Sequence, residues 1–283
     1  MAEEAAGRDL RTGVATSLAL GHRRGAMGEL ISETLRGLTP LVIALAFLAV
    51  FGAAFLRGFT GFGFGLAAVP ALSLVMSPVV AIPCTLMLGM LAGVQVLPKI
   101  RRLPDWRSVW ILVAGSLVGS PIGIWVLTAL PVSALRAMIG VTLIVAVIVL
   151  WRQPRFGKQP SVPVGLGTGV VSGVLNGSTG FAGPPVILYF LSTQDSVPVI
   201  RASLMMYFFF STGGTLVYDA FRGLIGSHVL LLTAIFFPAL YLGNWLGDRC
   251  FDGSSAATYR RVALGILLLL AVLAVGRALY DEL

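Results

Sequence analysis

Charge is scarce in this sequence, and acids are scarcest where they would matter most. Only 11% of the 283 residues are charged, whereas a soluble domain carries roughly a quarter. With 57% hydrophobic residues and a mean hydropathy of +0.93, a soluble globular fold is excluded. Between Pro40 and Tyr280 the acids are Asp105, Asp195, Asp219, Asp248 and Asp252, each in or beside a loop between apolar runs. None falls mid-run, where a proton relay or cation ligand belongs. Cation transport or coupling is therefore disfavoured, although Asp195 or Asp219 could fold inward.

Cysteine and histidine are almost missing too. Cys84, Cys250, His22 and His228 show no CxxC or metal-ligand spacing, so neither a disulfide framework nor a metal site is expected, and the sequence asks for no cofactor. A membrane-embedded enzyme or assembly subunit would gather His, Cys or acids at the membrane face, and no such cluster is present. The net charge of +8 comes from residues between apolar runs, without interleaved stacking aromatics, so nucleic acid is not an expected partner. Residues 1–37, with five arginines against five acids, hold no long apolar core followed by a small-residue cleavage site. They read as a flexible tail rather than a signal peptide. Met27 is an alternative start, because MGELISETLRGLTP runs straight into the first apolar segment.

What is present is a series of apolar runs, each near the roughly 17–25 residues that cross a bilayer as a helix. They lie at about 39–56, 58–76, 79–97, 107–127 and 131–151, then 161–178, 179–193, 198–217, 227–247 and 258–279. The expected fold is an all-α polytopic membrane protein. Self-comparison divides it: Leu56, Gly58, Thr60, Gly61 and Phe62 match Leu175, Gly177, Thr179, Gly180 and Phe181, and Gly119, Gly123 and Arg136 match Gly243, Gly247 and Arg260. The organisation is thus a membrane repeat over 38–153, a basic connector over 154–160 and a second repeat over 161–283, with about five segments each.

With the connector placed in the cytoplasm, twelve Lys and Arg residues fall on that side and three on the other, leaving the tail aside. That bias is what the positive-inside rule requires. The basic loop PKIRRLPDWR corresponds to YDAFRGLIGSH, with one Asp and one Arg, so matching loops face opposite sides and the repeats are inverted. Inversion needs an odd number of crossings per half. Five satisfies it; so does three, if the short segments 161–178 and 179–193 form a re-entrant pair.

Each half also breaks an apolar run with glycines, LRGFTGFGFGLAAVP at 56–70 and LNGSTGFAGPP at 175–185. Glycine in a helix interior costs roughly 1 kcal/mol relative to alanine. Interrupted helices survive in a bilayer only against protein or a water-filled cavity, and paired interruptions in two halves point to a transport site. A short helix starting at such a break directs N–H groups and a positive dipole end at the cavity, which suits an anion. Thr60, Ser178 and Thr179 would add hydroxyls and Asn176 an amide. Arg57 and Arg201, at cytoplasmic ends beside the breaks, have the sign to gather anions. Gly119 with Gly123, and Gly243 with Gly247, read instead as close helix contacts, and Met205, Met206 and Phe208 to Phe210 as packing residues.

At RGFTGFGFGLAAVPAL, GVLNGSTGFAGPPVILYFL and the following RASLMMYFF, the chain resembles the sulfite exporter TauE/SafE family, also called the TSUP family. The resemblance covers residues 40–280. It implies a multi-pass transporter of the bacterial inner membrane that exports sulfite, organosulfonates or related small sulfur anions. By that analogy Gly58, Thr60 and Gly61 on one side, and Asn176, Gly177, Ser178, Thr179, Gly180, Gly183, Pro184 and Pro185 on the other, line the site. The family's second motif is often richer in glycine. Here Asn176, Ser178 and Ala182 narrow the space and add donors. Alternating access is the leading mechanism and an anion channel the alternative; oligomeric state is not legible.

Overall fold

Hydrocarbon offers backbone groups no partner, so apolar runs must close their own hydrogen bonds as helices. The computed structural model describes residues 39–60, 63–152, 160–193 and 195–251. Over these it contains nine helices and no strand: α1 (Pro40–Thr60), α2 (Phe64–Ser73), α3 (Pro78–Ile100), α4 (Trp106–Ala129), α5 (Val132–Arg152), α6 (Val162–Thr179), α7 (Gly183–Ser192), α8 (Val197–Phe221) and α9 (Ser227–Phe251). Four stretches are long and apolar enough to cross a membrane: Pro40–Gly58, Pro78–Pro98, Trp106–Ala129 and Ser227–Cys250. The tail with Met27, most of the connector and the run 258–279 lie outside the described residues.

The chain divides into a unit of residues 1–43 and a unit of residues 44–283. Of the first, only the opening of α1 is described, where the Val42 amide donates to Thr39 Oγ1 at 3.3 Å. The rest of α1 and all the other helices belong to the second unit.

Helix starts follow from local chemistry. Asp105 caps α4 by accepting the amides of Arg107 at 3.1 Å and Ser108 at 3.4 Å. Pro78, Pro163 and Pro198 occupy the first turns of α3, α6 and α8, where a missing N–H costs nothing.

Glycine decides the closest packing. A β-carbon on Gly115, Gly119 or Gly123 of α4 would strike the backbone carbonyls of Leu166, Val170 or Val174 on α6. Reciprocally, one on Gly169 or Gly173 would strike the carbonyls of Leu112 or Ser116. The two helices therefore run parallel with their backbones in contact, the arrangement small residues permit. The pair α9 and α1 repeats it: Gly243 abuts the backbone of Phe51 and Phe55, and Gly58 that of Asn244.

α7 doubles back along α6. Ser172 Oγ donates to the Ala182 carbonyl at 2.5 Å, and a β-carbon on Gly165 would come 3.3 Å from the Tyr189 ring. A hairpin results whose two ends share one face. α8 runs parallel to α4, with Ser116 Oγ 2.5 Å from Ser211 Oγ and Ser120 Oγ 3.0 Å from Thr215 Oγ1. Phe190 and Tyr207, fully buried, centre the apolar cluster that joins α4, α7 and α8.

Candidate functional site

Both glycine runs turn the chain through left-handed backbone. Gly63, before α2, has φ +90°, and Gly180, after α6, has φ +73°. Side chains rarely adopt these values, so glycine stands there for its conformation. The Gly180 amide closes the last turn of α6 on the Asn176 carbonyl at 2.9 Å.

The two turns meet. A β-carbon on Gly65 would lie 2.7 Å from the Gly180 carbonyl oxygen, and one on Gly180 would lie 2.9 Å from Val69 of α2. Around this contact is a cavity of about 70 Å³, bordered by Gly63, Gly65, Gly180 and Gly183, and by the polar side chains of Arg57, Thr85, Asn176 and Thr212. One water needs roughly 10–15 Å³ of such space, so there is room for a small oxyanion.

The helix starts at this cavity are unequal. Neither α2 nor α7 has a side-chain cap. The first amides of a helix have no intrahelical partner, which in α2 means those of Gly63 to Leu66. In α7, Pro184 and Pro185 carry no N–H, leaving Ala182 and Gly183. The first turn is the richer donor.

A larger cavity of about 860 Å³ adjoins, with Arg57 and Met205 bordering both. Its walls include Gln95, Arg201, Tyr241, Asn244 and Asp248, at the ends of α3 and α9 and the start of α8. The Asn244 amide, oriented to satisfy both neighbours, donates to the Ala54 carbonyl at 3.0 Å and accepts from Arg57 Nη1 at 3.2 Å. Asp248, one turn further along α9, acts on the same guanidinium. Arg57 is thus fixed at the junction, and Arg249 lies 3.8 Å over the Trp245 ring nearby.

The sequence profile of the sulfite exporter TauE/SafE family matches residues 46–274, including both breaks. The chain belongs to this family. A protein of Cupriavidus necator named probable sulfite/organosulfonate exporter TauE is 30% identical over 238 residues, 81% of this chain and 92% of its own length. No solved structure matches. The TauE/SafE family is one of membrane transporters, and the matched residues include both cavities.

In this TauE/SafE protein, the residues expected from sequence separate into groups. Arg57, Asn176, Gly180 and Gly183 border the small cavity, and Arg57, Gly58 and Arg201 the large one. Gly177 does neither; its α-carbon faces the Ser120 carbonyl, 2.6 Å from where a β-carbon would be. Ser178 and Thr179 donate to the Val174 and Leu175 carbonyls of their own helix, each at 2.7 Å, so their hydroxyl protons are already used. Pro184 and Pro185 form the first turn of α7 and border neither cavity. Thr60 ends α1, with only its backbone described, and Gly61 lies outside the described residues.

Other residues were missed by sequence reasoning. Met205, Phe208 and Phe209, expected as packing, border the small cavity with Thr85 and Thr212. Asn244 gives no signal in the sequence, and Asp248, which reads there as beside a loop, lies on α9 one turn from it. Asp219, which by sequence lies beside a loop and could fold inward, sits in the last turn of α8 and is 0% exposed. Among the described residues, no group of three or more His, Cys, Asp or Glu could hold a metal ion.

Proposed function

We propose that this TauE/SafE protein exports a small sulfur oxyanion or sulfonate across the bacterial inner membrane, by alternating access around the contact of its two broken turns. The observation that carries this reading is the approach of Gly65 to Gly180 around a cavity that Arg57 also borders. The α2 amides and the Arg57 guanidinium hold the anionic head, charge-assisted hydrogen bonds being about twice as strong as neutral ones. Asn176 adds an amide, and Thr85 and Thr212 add hydroxyls. The larger cavity is the cytoplasmic vestibule, so the conformation described is inward-facing, and a sulfonate's tail extends into it.

The repeats are inverted, and the hairpin of α6 and α7 favours three crossings per half over five. No enzymatic step is assigned. A negative cell interior expels an anion with about 2.3 kcal/mol per charge per 100 mV, a sufficient drive for export.

The test is counterflow in proteoliposomes containing the purified chain. External radiolabelled sulfite or ethanesulfonate should accumulate against unlabelled internal anion and saturate with concentration. Flux that neither saturates nor shows counterflow would indicate a channel, and absence of flux under every imposed potential would remove the transport reading.

A further inference from the structure

One face of α8 carries polar groups that the anion site does not use. Ser203, Tyr207, Ser211, Thr215 and Asp219 recur at every fourth residue, so they align along the helix, and all are 0% exposed. Most of this stripe is answered by neighbours. Ser203 Oγ accepts the Asp105 amide at 2.8 Å, Ser211 pairs with Ser116, and Thr215 pairs with Ser120. Thr215 Oγ1 also accepts Asn176 Nδ2 at 2.9 Å, and Asn176 borders the small cavity.

The Tyr207 hydroxyl and Asp219 are the exceptions. Neither carboxylate oxygen has a hydrogen-bond partner among the described residues. Continuing the register of α4 against α8, Asp219 falls level with Ile124, an apolar residue 1% exposed. The titratable and charged groups on the helices packed against α8 are few: Arg107 on α4, Cys84 and Lys99 on α3, Tyr189 on α7 and none on α6. Arg107 lies at the opposite end of α4. Beyond Asp219, Arg222 is exposed and His228 half-buried. An ionised carboxylate without partners is strongly penalised away from water, and the neutral acid far less.

We propose that Asp219 is a proton-binding site linked to the anion site through Thr215 and Asn176, holding the neutral acid in the conformation described and the carboxylate in the outward-open one. This rests on the alternating-access reading of the transport site. Asp219 lies eighteen residues beyond Arg201 on α8, about 27 Å by helical rise, at the end away from the vestibule. Opening that end hydrates the acid; the proton passes to water and the carboxylate remains. Rebinding of a proton from the outer face then favours return to the inward-facing conformation. External pH thereby sets which face the anion site opens to.

The experiment uses the full chain in proteoliposomes and ethanesulfonate, a strong acid whose own charge stays constant. In the wild type, net flux should depend on the pH of the face where Asp219 opens, by up to about tenfold per pH unit for one linked proton. Asp219→Asn should flatten that profile while exchange at equal pH continues, and Asp219→Glu should restore a displaced profile. Identical pH profiles for wild type and Asp219→Asn would overturn the proposal. A wild type that moves neither ethanesulfonate nor sulfite would instead count against transport, and melting of the detergent-purified protein then reads Asp219 directly. Because the fold favours the neutral acid, wild-type stability should fall relative to Asp219→Asn as pH rises. Parallel curves would overturn the proposal independently of any flux.

Discussion

Gly65 of α2 and Gly180 at the end of α6 are in backbone contact, so close that a β-carbon on Gly65 would lie 2.7 Å from the Gly180 carbonyl oxygen. The two glycine-rich breaks touch here. Gly65→Ala should therefore push the turns apart, costing about 1–3 kcal/mol as overpacking does, and should abolish the rise in melting temperature expected of the wild type with sulfite. Gly52→Ala is the control: nothing lies within 4 Å of its β-carbon position, so the added methyl should stabilise α1 by roughly 0.5–1 kcal/mol. Equal effects of the two changes would contradict the packing described.

Asn176 and Thr179 stand three residues apart but differ in what they can offer. The Thr179 hydroxyl donates to Leu175 within its own helix, whereas Asn176 borders the small cavity. Isothermal titration with sulfite should find Thr179→Ala within about 0.5 kcal/mol of wild type, as for a residue away from the site. Asn176→Ala should weaken binding by about 0.5–1.5 kcal/mol for the lost hydrogen bond. The reverse order would move the site toward Thr179.

Asn244 holds Arg57 without bordering the small cavity. Truncation to alanine removes the acceptor 3.2 Å from Arg57 Nη1; a hydrogen bond to a charged group contributes about 1.5–3 kcal/mol. The KM for the anion should rise roughly tenfold or more, since about 1.4 kcal/mol is tenfold in binding. Asn244→Gln, which can still accept, should recover part of it. An unchanged KM in the alanine variant would show that Arg57 is held by other groups.

Gly119 tests the frame rather than the site. Its β-carbon position lies 2.1 Å from the Val170 carbonyl oxygen on α6, and backbone cannot move aside as a side-chain tip can. Gly119→Val should destabilise by at least about 1–3 kcal/mol, read as a lowered melting temperature and loss of monodisperse protein in detergent. Tolerance of valine would mean that α4 and α6 are further apart than described.

The helices were legible because hydrocarbon leaves apolar runs no other structure, and the two breaks because dense glycine, with the double proline at 184–185, interrupts such runs. That Gly180 needs glycine and that Gly119 and Gly123 mediate close helix contact follow from the sequence pattern. The role of Gly177 did not, because a glycine gives the same sequence signal whether it faces a cavity or a helix. Ser178 and Thr179 misled for a related reason: a hydroxyl in a helix can turn back onto its own carbonyls. Asp219 sat two residues beyond the apolar run 198–217 and read as a loop residue. In the structure α8 continues to Phe221 and carries it inside. Arg57's partners on α9 required the fold itself, since 187 residues separate Arg57 from Asn244.

Whether an anion occupies the meeting point of the two turns is best measured by anomalous diffraction from crystals soaked with selenite, a heavier analogue of sulfite. The account predicts a selenium peak in the small cavity, with its oxygens within hydrogen-bonding distance of the α2 amides and Arg57. A peak confined to the large cavity, or no peak at concentrations that saturate transport, would contradict it.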